Sequence, residues 1–132
     1  MELYKTKSKA IELYQQAVGC CNVDAMNALG MCYFNGDGVP QDKRKGIELN
    51  QRAFGEHSVE AMYNLAMCFF NGDGITEDKH EAIELLQTAA EKDNAKAMYF
   101  LGKCYDIGDS VEQDKEKALG LYRRAAELLL QK

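Results

Sequence analysis

Apolar residues in this chain recur at helical spacing and hardly ever alternate. Ala25, Leu29 and Tyr33 fall at i, i+4 and i+8, and Gly46, Ile47, Leu49, Ala53 and Phe54 form a second stripe. That rhythm gathers side chains on one face of an α-helix. The pattern then starts again. "AMNALGMCYFNGDGVPQDKRKGIEL" from Ala25 is matched by "AMYNLAMCFFNGDGITEDKHEAIEL" from Ala61 and by "AMYFLGKCYDIGDSVEQDKEKALGL" from Ala97, a period of 36 residues. "SKAIELYQQAVG" at 8–19 matches "RKGIELNQRAFG" at 44–55 at the same period, so the chain opens on the second half of a repeat.

Each repeat reads as two amphipathic helices, A and B. The spacing predicts an orphan helix B over about 2–18, A helices over 23–35, 59–71 and 95–107, and B helices over 42–54, 78–91 and 114–130. Asn22, Ser58 and Asn94 stand where helix A needs an acceptor for its free N–H groups, and Asp42, Asp78 and Asp114 where helix B does. Glu81, three after Asp78, is placed to complete a capping box in the second repeat. Gly36 and Gly38, then Gly72 and Gly74, allow a tight reversal between the helices; Ser110 replaces the second glycine in the third repeat, where the turn is expected to be altered or mildly strained. Small residues recur where helices must approach: Gly30, Ala66 and Gly102, and Gly46, Ala82 and Ala118.

A helix pair cannot bury its apolar stripe alone, whereas stacked pairs share a continuous core. The expected fold is all-α, a right-handed superhelix of about seven helices in antiparallel pairs. It forms one domain: 1–24 as orphan helix and link, then repeats 25–60, 61–96 and 97–132.

Composition narrows the function. A net charge of −5 and a pI near 5.1 disfavour nucleic acid and acidic membranes as partners. The first stretch, "MELYKTKSKAIELYQQ", has no apolar signal-like run, and no segment approaches the roughly 20 apolar residues a spanning helix needs. Five cysteines, an odd number, suit a reducing compartment, so the chain reads as cytoplasmic.

These residues resemble the Sel-one-like repeat, a relative of the tetratricopeptide repeat with a longer, glycine-containing turn. Repeat one carries the pattern in Ala25, Leu29, Gly30, Tyr33, Gly36, Gly38, Val39, Asp42, Lys45 and Ala53; Gly46 and Phe54 depart from it, as do Ala66, Phe69, Ile75 and Glu81 in repeat two and Ser110 in repeat three. The resemblance implies an α-solenoid that binds other proteins as an adaptor or scaffold. A cysteine-rich branch of the family resembles β-lactam-binding or β-lactam-hydrolysing proteins with a disulfide in each repeat. Here the corresponding positions hold Met26, Met62 and Met98 against Phe54, Ala90 and Ala126, which speaks against that alternative. A purely structural segment of a larger protein is a further alternative.

Catalytic signatures are missing: there is no S-x-x-K, G-x-S-x-G or H-E-x-x-H, and His57 and His80 have no partner at triad spacing. "NGDG" invites a calcium or phosphate reading, but the position twelve along from Asn35 is Gly46 rather than an acid, so the motif reads as a turn. No cofactor or metal is expected. Cys32, Cys68 and Cys104 read as small buried groups, and Cys20 and Cys21, past a helix end, as exposed thiols.

The strongest functional signal is a second stripe on the A helices, facing away from the core and, by the resemblance, onto the concave groove. It supplies Asn27, Met31, Phe34 and Asn35 in repeat one, Tyr63, Met67, Phe70 and Asn71 in repeat two, and Tyr99 in repeat three. Exposed aromatics and Met mark binding surfaces, so the expected partner is a protein or peptide anchored by Tyr63 and Tyr99. Phe34 and Phe70 have a second reading, packing between neighbouring A helices. "LLL" at 128–130 and the orphan first helix leave apolar ends that invite self-association.

Overall fold

The computed structural model describes residues 2–131, with side chains from Lys5 onward. Seven α-helices follow one another: α1 (Glu2–Gly19), α2 (Val23–Asn35), α3 (Lys43–Gly55), α4 (Val59–Asn71), α5 (Lys79–Glu91), α6 (Ala95–Ile107) and α7 (Lys115–Leu130). No strand occurs among the described residues. Helix pairs repeating in this way make the chain an all-α repeat protein of the solenoid class.

From α2 onward each helix begins where a short polar side chain satisfies a free N–H. Asn22, Ser58 and Asn94 accept from the backbone N–H groups of Ala25, Ala61 and Ala97 at 2.8, 3.1 and 2.8 Å. Asp42, Asp78 and Asp114 accept from Lys45, Glu81 and Lys117 at 3.1, 3.1 and 3.0 Å. The capping box expected at Glu81 does not form. The Asp78 N–H it requires donates instead to the Phe69 carbonyl at 2.9 Å, as Asp42 does to Tyr33 at 2.7 Å and Asp114 to Tyr105 at 2.9 Å. In every repeat the first residue of the B-helix cap is thereby tied to the end of helix A.

The A helices stop at left-handed glycines. Gly36 and Gly108 have φ of 72° and 74°, and the N–H groups of Asp37 and Asp109 reach back to the Cys32 and Cys104 carbonyls at 2.9 Å. Ser110 adopts the backbone of the glycine it replaces, at φ 68°, so that turn keeps its shape and carries the strain. The links between repeats use non-glycine residues at the same 36-residue spacing: Cys21, His57 and Asp93, with φ of 61°, 66° and 66°.

The chain forms two compact units, Met1–Ala61 and Met62–Lys132. In the first, Ile11, Val18, Ala25, Met26, Leu29, Leu49, Ala53 and Ala61 make the core. Gly46 and Gly30 let α2 and α3 meet closely: a Cβ on Gly46 would lie 2.6 Å from the Gly30 carbonyl oxygen. The turn after α2 rests on α1, where Lys7 Nζ and Asp37 Oδ1 pair at 2.8 Å. In the second unit Leu86 and Met98 are fully buried, and Lys79 pairs with Asp109 of the corresponding turn at 3.5 Å. Asp37 of "NGDG" and Asp109 of "IGDS" thus serve as ion-pair partners for the preceding B helix.

The basic residues that open B helices, against the helix dipole, stand over aromatic rings of the preceding A helix. Lys45 lies 4.7 Å from the Tyr33 centroid, Lys79 4.9 Å from Phe70 and Lys117 4.8 Å from Tyr105.

Candidate functional site

An apolar groove lies in the second unit, a cleft of about 690 Å³ framed by α4, α6 and α7. Its side chains follow from repeat position. Tyr63 and Tyr99 occupy one register of helix A, which the 36-residue period places on the same face of α4 and α6. Tyr122 enters from α7 because Gly102 leaves room: a Cβ there would stand 2.8 Å from Tyr122 Cε1. The Tyr99 and Tyr122 rings lie 5.6 Å apart at a tilt of 47°, while Phe100 meets Phe70 edge-on at 4.9 Å. Leu129 closes the far end and is 61% exposed.

Two lysines border these rings. Lys96 Nζ is 5.9 Å from the Tyr63 centroid, and Lys103 Nζ is 5.0 Å from Tyr99 and 5.1 Å from Phe100. Desolvation pushes the Tyr122 phenol up from its ordinary value, with the Asp106 carboxylate adding to the effect, so Tyr122 remains a neutral hydroxyl donor. The arrangement offers flat aromatic area and phenolic hydroxyls beside ammonium groups. Such a surface suits non-covalent recognition.

Of the residues expected in the groove, Tyr63 and Tyr99 line this cleft together, Tyr99 being 54% exposed. Met67 and Phe70 are half-buried on α4, and Asn71 is exposed at its end. Phe70 follows its second reading, packed against Phe100 of the next A helix. In the first unit Met31 and Asn35 are exposed, and half-buried Phe34 presses on α3 at Gly46, with Lys43 5.6 Å from its ring. Asn27 departs from the expectation. It is 4% exposed and donates Nδ2–H to the Ser58 hydroxyl at 2.8 Å, so its side chain joins α2 to the cap of α4 and faces no groove.

Phe100 and Tyr122 escaped the sequence reading, and Leu129 was read only as part of an apolar end open to self-association. Phe100 stands where the other repeats carry Ala28 and Asn64, and there the change to an aromatic was the available signal; Tyr122 shares a register with Tyr14, Asn50 and Leu86.

Among the described residues, no group of three or more His, Cys, Asp or Glu side chains is arranged to hold a metal ion. His57 and His80 are exposed, the latter 3.2 Å from Glu84. None of the five cysteines forms a disulfide: Cys20 and Cys21 are exposed, Cys32 half-buried, Cys68 and Cys104 buried. No helix of the described residues is long and apolar enough to cross a membrane.

Comparison with known proteins accords with this geometry. A Sel1 repeat protein from Oxalobacter formigenes superposes with a TM-score of 0.85 at 27% identity, over 92% of this chain and 50% of that one. A protective antigen of uropathogenic Escherichia coli displaying an SLR fold superposes with a TM-score of 0.83 at 30% identity, over 92% of this chain and 26% of that one. This chain therefore spans half or less of those two proteins. The comparison with curated proteins gave no match. The model of the Sel1 repeat matches residues 7–18, 23–54, 59–94 and 95–128, and with nearly every helix inside those segments the chain belongs to the Sel1 repeat family.

Proposed function

We propose that this chain is a non-catalytic adaptor that receives a peptide or helix of a partner protein on its A-helix surface. Sel1 repeats generally serve as protein-interaction scaffolds, which sets the class. The observation that carries the reading is the convergence of Tyr63, Tyr99 and Tyr122 on one open cleft. An apolar patch rimmed by polar groups is how binding surfaces differ from ordinary solvated ones. Tyr63 and Tyr99 act as rigid anchors, since a tyrosine loses little rotamer freedom and offers both a ring and a hydroxyl. Met67 and Asn71 on α4 add an adaptable apolar contact and a polar one, and Met31 and Asn35 bring the same chemistry to α2.

The test is affinity capture from native lysate with wild type beside a Tyr63→Ala, Tyr99→Ala double variant, both first matched in helicity and stability. Loss of a captured partner from the variant supports the groove. A partner retained equally by both proteins moves recognition to another surface.

A further inference from the structure

We infer that the groove of the second unit selects an acidic amphipathic segment, one that brings carboxylates to Lys96 and Lys103 while its apolar face covers Tyr63, Tyr99 and Tyr122. The inference rests on the adaptor reading above and adds the chemistry of the partner. Its basis is charge. The chain carries 21 acidic and 16 basic side chains, yet the residues lining this cleft include two lysines and no acid; Asp106, whose carboxylate meets the Tyr122 hydroxyl, is paired with Lys115. Two further clefts show the ordinary mixture: one has Glu91 with Lys117 and Arg124, the other Glu48 with Lys45 and Arg52.

Some surface lysines find carboxylates, as Lys7 does with Asp37, Lys79 with Asp109 and Lys115 with Asp106, whereas Lys45 and Lys117 lie over single rings at the start of B helices. Among the described residues, Lys96 and Lys103 pair with none. Their ammonium groups lie over ring faces. A cation over a ring is held weakly and keeps its hydrogen-bond donors available to an arriving carboxylate. Repeat position sharpens the point. Lys96 stands where the other repeats have Asp24 and Glu60, and Lys103 where they have Met31 and Met67, so the third repeat reverses one charge and adds another on this face. Opposite potentials across an interface favour the right partner and repel the wrong one.

A displayed library of random fifteen-residue peptides, selected against immobilised full chain, tests the partner's chemistry. Three variants accompany the wild type: Tyr63→Ala with Tyr99→Ala; Lys96→Gln with Lys103→Gln; and Lys92→Gln with Arg123→Gln, which removes the same charge at exposed positions outside the cleft. The expected result is a pool enriched at least twofold in Asp and Glu as well as in Phe and Leu. The acidic enrichment is lost in the Lys96, Lys103 variant and kept in the Lys92, Arg123 variant. Apolar enrichment that depends on the tyrosines without acidic enrichment overturns this inference and leaves the adaptor reading standing. Acidic enrichment that falls equally in both charge variants also overturns it, as a response to overall charge. A pool that is insensitive to the tyrosines, or no enrichment at all, overturns both.

Discussion

The side-chain amide of Asn27 donates to the Ser58 hydroxyl at 2.8 Å, and the same oxygen accepts the Ala61 backbone N–H at 3.1 Å. One atom thus caps α4 and accepts from the buried side-chain N–H of Asn27, whose Oδ1 has no partner among the described residues. Ser58→Ala removes the cap and leaves the Asn27 amide buried without this acceptor, at about 2–3 kcal/mol in all. In a double-mutant cycle followed by urea unfolding, Asn27→Ala is expected to cost about 1 kcal/mol less in the Ser58→Ala background than in wild type. Additive losses would show that the two side chains do not interact.

Glu77 is a natural weak point. Gln41 Nε2 donates to the Phe34 carbonyl at 3.0 Å and Gln113 Nε2 to the Asp106 carbonyl at 2.8 Å, capping the ends of α2 and α6. Glu77 holds the same register behind α4, and an ionised carboxylate cannot donate. Glu77→Gln supplies the missing N–H and removes a negative charge from a helix C-terminus. A gain of about 0.5–1.5 kcal/mol is expected, read as a higher urea midpoint at unchanged slope.

Ser110 holds φ at 68°, a conformation that glycine adopts freely. Ser110→Gly relieves this strain but gives up the bond from Ser110 Oγ to Asp109 Oδ1 at 3.1 Å, which is exposed. The net expectation is a stabilisation of about 0.5 kcal/mol, measurable as a rise in Tm.

Gly46→Ala should do the opposite, although alanine is the better helix former by about 1 kcal/mol. Its Cβ would lie 2.6 Å from the Gly30 carbonyl oxygen and 2.9 Å from the Phe34 nitrogen, both backbone atoms that cannot swing away. Forcing α2 and α3 apart is expected to cost about 1–3 kcal/mol net. Thermal melting of the variant decides the sign.

Cysteine reactivity should divide sharply. Burial pushes the Cys32 and Cys104 thiols up, with Asp37 and Asp109 respectively adding to the shift. With an aromatic disulfide reagent at neutral pH, Cys20 and Cys21 react within the mixing phase, and Cys68 and Cys104 only on unfolding. The raised thiols also fix a pH dependence. The folded state holds their protons more tightly, so their contribution is complete below the ordinary thiol value and is lost as pH rises through the folded one. Cys104→Ala flattens that alkaline decline; an unchanged decline would assign it to other groups.

The sequence alone determined the seven helices, their caps and the 36-residue period. Those features depend on neighbours within a few residues: an apolar stripe at helical spacing, Asn, Ser or Asp at the cap, and glycine at a left-handed stop. Tyr63 and Tyr99 were legible for the same reason, since their register lies off the core-facing stripe. Tertiary structure decided what equivalent positions do. Asn27 shares the register of Tyr63 and Tyr99, yet Ser58, 31 residues away, turns it inward. Glu81 has the spacing of a capping box, but a carbonyl of the preceding helix takes the N–H it needed. Tyr122 reaches the groove only because Gly102, on another helix, has no Cβ. Local pattern fixes which face of a helix a residue occupies. What that face meets is set by atoms distant in sequence, and three repeats of one pattern meet different neighbours.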